Sequence, residues 1–549
     1  MKDFGKELYF IPLGGSGEIG MNLNLYGYDN QWLIVDFGIT FGDDLGIDVI
    51  MPDITFLEQN RDKIVGMVLT HAHEDHIGAI PYIWNRLRCP MYATPFTAAI
   101  IRGKLKDVGL LKEAELVEVP IGGEVKLGPF DVEFVTLTHS IPEPSALSIT
   151  TPHGVIVHTG DWKIDPDPLV GSATDIERLG KLGDKGVLAL TCDSTNVFVE
   201  GRTESELAVR DSMIKLVGEL DNRVIITLFA SNVARLETCA MAAAAHGRIP
   251  VLVGRSLYRM YDAARETGYL MNVPDFITPE QAANLPRNKV LYLCTGSQGE
   301  PRAALARLAD KSHPLLKLDR GDTVIFSARK IPGNEALVGQ MQNKLQSQGI
   351  EVISDGEEFT HVSGHPAREE LKDMYKLIRP QMLLPVHGEQ LHMHEQAKLA
   401  LASGVPQAVV PYNGVVIRMA PGAPQIVGDV TSGRWAYDGS RVVPLYNEHI
   451  KERSRIMREG VVFVTIMPSV INQEPILTFI GLAVDDDEED LMRKLSLREF
   501  AGMIENASES MWDNDKELQD LVRIAIRRAV RTVCGRKPVV VTHVLRPGF

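Results

Sequence analysis

Hydrophobic and polar positions follow two different rhythms along this chain, and the change from one to the other divides it. Residues 8–13 and 32–37 are nearly continuous apolar runs, and between them Asn22, Leu23, Asn24, Leu25 and Tyr26 alternate polar with apolar. Both patterns predict strands. Residues 65–70 form a short, abruptly ending apolar run that reads as a buried strand, and 77–82 open a helix. From 90 to 160 the pattern stays mostly strand, with 134–140 ending in a histidine and 154–161 in an aspartate. Residues 187–196 give a third strand of this kind. At about residue 205 the texture changes. Apolar strands at 224–229, 251–253, 290–294 and 324–326 alternate with helices, the signature of a parallel sheet covered on both faces. This reads as a second α/β domain inserted into the first, which resumes near residue 370 with a strand at 382–387. Residues 407–419 are strand-like, and a connector runs to about 450. The tail is a small α/β domain with a strand near 461–466, a helix near 511–534 and a strand near 538–544. The predicted segments are 1–205, 206–369, 370–448 and 449–549.

A chain of 549 residues with 44% hydrophobic content holds enough apolar material for several cores, about three to four domains. It contains no run of 18 apolar residues, so no membrane-spanning helix is expected. The first residues lack the apolar stretch of a signal peptide, which predicts a cytoplasmic protein. Cys89, Cys192, Cys239, Cys294 and Cys534 form no C-x-x-C pair and read as reduced, mostly buried thiols. The net charge of −15 speaks against a general nucleic-acid coat protein. It leaves room for an enzyme in which metal ions and a local basic channel attract phosphate. Arg523, Arg527 and Arg531, joined by Arg528, make one basic helix face. That face reads first as solvated, or as a dimer contact balancing the acidic run 485–490, and second as an RNA contact.

The densest chemistry lies at residues 71–76, His-Ala-His-Glu-Asp-His. His71, His73, Asp75 and His76 fall between a predicted strand and a predicted helix, where a rigid scaffold can present them to a cleft. His71 and His73 can point the same way, while Asp75 and His76 can address a second ion nearby. Imidazole with carboxylate suits zinc or manganese. Strand ends are where ligands gather, so His139 and Asp161 complete the first site, with Asp161 able to bridge both ions. His387 closes the second site. Asp36 and Asp193 are expected behind the ligands, Asp193 as an acceptor for a ligand histidine. His158 is assigned to structure. Gly15, Gly17 and Gly20 fit G-x-G-x-x-G, but a strand follows instead of a helix, which rejects a dinucleotide site and favours a hairpin at the cleft rim. Loops at 230–232, 295–300 and 332–335 are rich in Ser, Gly and Asn and can offer backbone N–H groups to phosphate.

Residues 71–76 resemble the H-x-H-x-D-H signature of the metallo-β-lactamase superfamily. With the insert, Asp193, His365 and His387, the chain resembles the β-CASP nucleases and, within them, the bacterial ribonuclease J family. The motifs at 13–22, 70–79, 193–196, 295–301, 331–335, 361–365 and 385–389 carry this likeness over about residues 8–420. The stretch 141–145, Ile-Pro-Glu-Pro-Ser, departs from it by an extra proline where an acidic residue followed directly by serine is expected.

The resemblance implies an αββα metallo-β-lactamase sandwich with an inserted parallel-sheet β-CASP domain and a small C-terminal α/β domain. It implies one cation on His71, His73, His139 and Asp161 and another on Asp75, His76, Asp161 and His387, with zinc favoured and manganese the alternative. A structural calcium near residues 46–48 is left open. Ser231, His361, Val362, Ser363, Gly364 and His365 would form the substrate phosphate pocket. Asp75, Asp193 and His365 would be catalytic, with Asp75 orienting water and His365 protonating the leaving oxygen. The implied activity is hydrolysis of RNA from 5′-monophosphate ends, with some internal cleavage, in decay and maturation of mRNA and rRNA. Implied partners are RNA, further copies of the chain as a homodimer or homotetramer, and members of an RNA-decay complex, with no membrane. The competing expectations are a β-CASP nuclease acting internally or on DNA, a small-molecule hydrolase of the same superfamily, and a non-catalytic RNA-binding subunit.

Overall fold

The computed structural model describes residues 4–42, 46–331, 333–468, 474–505, 508 and 512–546. The chain falls into two compact units, residues 1–41 with 49–442 and residues 42–48 with 443–549.

The first unit is built on two facing sheets. An eight-stranded sheet runs Gln425–Asp429, Val415–Ala420, Leu8–Gly14, Leu23–Tyr28, Gln31–Val35, Ile64–Val68, Met91–Ala93, Leu116–Glu118. A seven-stranded sheet runs Glu124–Leu127, Phe130–Thr136, Ser145–Thr151, Gly154–His158, Val187–Asp193, Pro380–Val386, Gln407–Ala408. Their shared core contains Leu8, Phe10, Leu33 and Val35 from the first sheet against Phe134, Leu147, Ile156 and Leu384 from the second. The intervening residues Tyr9, Ile11, Trp32 and Ile34 turn the other way and pack with helical Ile80, Ile83, Phe96 and Ile100. On the outer face of the second sheet, Val157 and Leu190 meet Leu179 and Leu182 of the helix Ile176–Lys185 and Leu371 and Met374 of the helix Arg368–Ile378. This is the αββα order. The strands are apolar on both sides because each sheet is covered twice.

The stretch 90–160 departs from the mostly-strand expectation. A 13-residue helix, Pro95–Asp107, stands in it, with proline at its first turn and Lys104 and Lys106 in its last. Phe96, Ile100, Ile101 and Leu105 are buried along one side. The β-branched Thr97, Ile100 and Ile101 disguise a helical spacing as strand composition, and packing of that side decides the outcome.

Gly154–His158, Val187–Asp193 and Pro380–Val386 are parallel neighbours. Phe130–Thr136 runs the same way, two antiparallel steps removed. The segments that follow all four strands therefore leave by one edge. The predicted strand ends at 139 and 161 are corrected: pairing stops at Thr136 and His158, and His139 and Asp161 lie on the segments beyond.

The insert holds five parallel strands in the order Ile249–Val253, Val290–Cys294, Val224–Thr227, Thr323–Phe326, Glu351–Ile353. Its two chain crossings are tied by the buried Glu370. One carboxylate oxygen accepts from Ile164 N–H, and the other from Thr203 and Ala367 N–H.

The second unit contains a sheet of Ile476–Ile480, Val461–Ile466 and Val539–Val544, with helices Asp486–Glu505 and Asp515–Cys534. The acidic run is the first turn of the earlier helix, with Asp486, Asp487, Glu488 and Glu489 at its electropositive end. That helix was not anticipated. On the later helix Arg523 pairs with Asp520 and Arg528 with Glu499, and Arg527 donates to the Pro538 carbonyl. No described helix is long and apolar enough to cross a membrane.

Candidate metal centre

The turn after the strand Ile64–Val68 is shaped by backbone contacts. His73 begins a four-residue helical turn, Glu74–Ile77. The carbonyls of Glu74, Asp75 and His76 accept N–H groups of Ile39, Asn22 and Phe37. Gly38 is required at this contact, since a Cβ there would meet the Asp75 carbonyl oxygen at 1.6 Å.

The predicted ligands converge. His71, His73, His139 and Asp161 present ligand atoms within 4.8 Å of one another, as do Asp75, His76, Asp161 and His387. Nδ1 of His73 is 3.1 Å from both Nε2 of His71 and Nε2 of His139. Nε2 of His387 is 3.6 Å from Asp75 Oδ2 and 3.5 Å from Asp161 Oδ2, and Nε2 of His76 is 3.2 Å from Asp161 Oδ1. Despite that approach, Asp161 Oδ1 is buried without a well-aligned hydrogen bond. Asp161 stands in both groups and reaches toward each with its two oxygens.

The opposite ring nitrogens are already engaged, which fixes each ring. Nδ1 of His71 contacts Thr70 Oγ1 at 3.0 Å, and Nδ1 of His139 lies 2.6 Å from the Gly364 carbonyl. Nδ1 of His76 lies 2.6 Å from Asp36 Oδ2, and Nδ1 of His387 lies 2.9 Å from the Asn22 side-chain amide. Asp36, at φ +61°, also accepts the N–H and hydroxyl of Thr70, as expected of a residue behind the ligands. His158, with Nδ1 at 3.0 Å from the Tyr26 hydroxyl, belongs to the buried frame.

Electrostatics fits cation binding. Burial, then the neighbouring imidazoles His76 and His73, keep His71 well below the usual histidine range. Burial, His73 and His365 do the same for His139. For His73 burial outweighs Asp75 and Asp161 and brings it to about 4. Burial and mutual repulsion disfavour protons on these rings, which leaves their clustered nitrogens available to a cation. Around His76 burial opposes ionisation, but Asp161, Asp75 and Asp36 together raise it well above the usual range. The same carboxylates would hold a cation in place of that proton. Asp161 stays ionised far below the usual carboxylate range: burial opposes this, and His387, His76 and His365 overcome it.

A third group, Asp161, Asp193, His365 and His387, adjoins these two. Asp193 was expected to serve a ligand histidine; its partner is instead His365, with Nδ1 at 2.7 Å from Asp193 Oδ2. The other Asp193 oxygen accepts from Thr195 N–H and Oγ1. Burial would lower the His365 pKa, but Asp193 and Asp161 raise it to about 9. Asn196 Nδ2 donates to Ser363 Oγ and to the His365 carbonyl, holding the segment 363–365. Gly364 packs so closely that a Cβ would meet the His139 ring at 2.5 Å.

Of the remaining pocket residues, Val362 and Gly364 are buried, and Ser231, His361 and Ser363 are partly exposed. His361 Nδ1 has no hydrogen-bond partner. Burial, then Arg235, Arg329 and Lys163, hold His361 well below its ordinary pKa. Of these cations, Arg235 is paired with Glu206 and Lys163 with Asp165. The other two loops are less available than expected. The amides of Gln298 and Gly333 are occupied by Glu300 and Glu335, and Pro332 lies outside the described residues. The glycines at 14–20 do border the centre: Gly15 O accepts His387 N–H, and Ser16–Gly17 pairs with Gly388–Glu389. Asn22 and Asn196 were not singled out from sequence.

Family models match four stretches: "Metallo-beta-lactamase superfamily" at 22–216, "Ribonuclease J, beta-CASP domain" at 221–345, "Zn-dependent metallo-hydrolase RNA specificity domain" at 349–411, and "Ribonuclease J C-terminal domain" at 448–546. Ribonuclease J of Sinorhizobium meliloti is 42% identical over 550 residues, covering 98% of both chains. Ribonuclease J 1 of Streptococcus pyogenes is 36% identical, again over 98% of both. Ribonuclease J of Thermus thermophilus is 32% identical over 97% of this chain and 94% of its own. A crystal structure of an Enterococcus faecalis protein of unknown function shares the fold, with a TM-score of 0.53 at 19% identity over 75% of this chain and 99% of that one. The chain belongs to the ribonuclease J family of metallo-β-lactamase-fold hydrolases.

Proposed function

We propose that the chain is a two-metal ribonuclease that degrades RNA from the 5′ end, prefers a 5′-monophosphate, and also cuts internally. The observation that carries this reading is the Asp193–His365 pair, which stands beside two converging metal-ligand groups. Full-length relatives named ribonuclease J support the substrate class.

Two divalent cations fit the donor set, with His71, His73, His139 and Asp161 holding one and Asp75, His76, Asp161 and His387 the other. Five imidazoles favour zinc over magnesium or calcium, with manganese the alternative. When bound, the ions supply hydroxide near neutral pH and neutralise phosphoryl charge. The protein's own groups do the rest. Asp75 is 30% exposed at its side chain and can orient the attacking water. Asp193 raises the His365 pKa and holds Nδ1, so that Nε2 can deliver a proton to the leaving oxygen. Ser231, His361 and Ser363 receive the terminal phosphate, with Val362 and Gly364 shaping the backbone. A complete donor set speaks against the non-catalytic alternative.

The working domain limits are 1–205, 206–369, 370–448 and 449–549, with a C-terminal role in forming a homodimer or homotetramer. A cytoplasmic location and association with an RNA-decay complex suit this activity. The test is a time course on RNA labelled at its 5′ end, bearing a monophosphate or a triphosphate. Early release of labelled mononucleotide from the monophosphate RNA is expected. Equal rates from both ends, or only long fragments, would overturn the 5′-end reading.

A further inference from the structure

The stretch 141–145 links His139 to the strand Ser145–Thr151, and its extra proline leaves Glu143 between two prolines. Glu143 has φ +58°, although it carries a full side chain and precedes proline, which disfavours compact backbone. Such a residue persists only where its surroundings over-determine it. Here they do. Ile141 is buried in the main core. Leu137 N–H donates to the Pro144 carbonyl at 3.0 Å, Ser145 N–H to the Thr70 carbonyl at 3.0 Å, and Ser145 Oγ to the Glu143 carbonyl at 3.3 Å.

The Glu143 side chain, only 6% exposed as a residue, reaches two bodies at once. Oε2 accepts Phe96 N–H at 2.8 Å, in the first turn of Pro95–Asp107. Oε1 accepts the Tyr269 hydroxyl at 3.1 Å. Tyr269 belongs to the insert, just past the helix Arg255–Glu266. Burial, then Glu143 itself, push the Tyr269 phenol far up, so it stays a donor. The same two helices also meet through Arg102–Glu266 at 2.9 Å and Arg259–Asp107 at 2.5 Å. Those pairs are exposed and contribute little. His139 is therefore approached twice by the insert and its return: directly by the Gly364 carbonyl, and through the 140–145 strap by Tyr269.

We propose that Glu143 is a positioning residue whose carboxylate, held by Tyr269, couples the seating of the insert to the placement of the His139 strap. When the insert is seated, the strained backbone is locked and His139 is gripped. When the Tyr269 contact opens, Glu143 can relax toward the extended backbone that a residue before proline favours, and the strap loosens. The consequence for RNA rests on the proposed function; the mechanical coupling does not.

The test uses full-length Tyr269→Phe, which removes one hydroxyl and keeps the ring. Hydrogen–deuterium exchange of amides at 137–145 and at Phe96 should accelerate about tenfold, the upper weight of one ordinary hydrogen bond. Amides of the insert's parallel strands should keep their protection. Because the strap carries His139, hydrolysis of a 5′-monophosphate RNA and of the small substrate bis(4-nitrophenyl) phosphate should fall together, and added metal should recover part of both. Glu143→Gln in a chain that retains Tyr269 keeps an oxygen for Phe96 and an amide for the Tyr269 hydroxyl, and should keep most of the protection that Tyr269→Phe loses. Unchanged exchange at 137–145 overturns the coupling, as does full retention of small-substrate hydrolysis once exchange has accelerated. If the wild-type chain leaves RNA intact, the functional reading fails while the exchange measurement still decides the coupling.

Discussion

Nδ1 of His365 stands 2.7 Å from Oδ2 of Asp193, and Nδ1 of His365 is also 4.0 Å from Asp161 Oδ2. Two carboxylates therefore act on one imidazole, and together they hold it protonated against burial, at about 9. A cation on Asp161 would neutralise much of that residue's share and leave Asp193 as the dominant support.

This pairing sets a pH dependence. A general acid works while protonated, so turnover should fall as pH rises through the His365 pKa. Asp193→Asn removes the nearer charge, lowers that pKa, and moves the alkaline limb to lower pH. At acidic pH, where the ring is protonated in either protein, the variant should approach wild type. A kcat–pH profile that keeps its alkaline limb in Asp193→Asn would remove His365 from the acid role. His365→Ala should lower kcat about 10²–10⁴-fold, with a smaller effect on RNA affinity.

Gly364 offers a test that touches no ligand. Its Cβ would enter the space of the His139 ring, so Gly364→Ala should displace His139 and weaken the cation held by His71, His73 and His139. Metal titration against a competing chelator would show one weakened site and one intact site. Two intact sites would mean that the ring moves aside at no cost.

Loading with metal should stabilise the fold. Binding to the native state alone adds about 2.7 kcal/mol when free ion stands 100-fold above its dissociation constant. Chelator-treated protein should melt at a lower temperature and recover on addition of zinc or manganese. His73→Ala should lose this response and RNA cleavage while keeping its far-ultraviolet circular dichroism. His76 is a poorer choice, since its loss leaves the buried Asp36 carboxylate without its 2.6 Å partner.

The pocket beside the centre predicts end recognition. Arg235, Arg329 and Lys163 all act on His361. Ser231→Ala should narrow the difference in rate between 5′-monophosphate and 5′-hydroxyl RNA and leave internal cleavage intact. An unchanged ratio would place the terminal phosphate elsewhere.

The ligand-bearing strands were legible because apolar runs give way to His139, Asp161, Asp193 and His387, but the strands before His139, Asp161 and His387 stop earlier, at Thr136, His158 and Val386. The parallel insert was legible from strand–helix alternation. The helix Pro95–Asp107 was obscured by β-branched residues, and Asp486–Glu505 by a run of acids that reads as solvated chain but suits a helix start. The partner of Asp193 was not legible, because His365 is brought to it from 172 residues away by the return of the chain from the insert. Asn22 and Asn196 act through contacts between distant segments, which local patterning does not encode.

The central claim, that His71, His73, Asp75, His76, His139, Asp161 and His387 grip a pair of cations, is tested most directly by counting metal. Purified protein dialysed free of loose ions should retain two divalent cations per chain by mass spectrometry. Asp161→Ala, which strikes both groups, should retain neither with comparable affinity. Retention of both ions by a folded Asp161→Ala chain, or no tightly held metal in the wild type, would contradict the account.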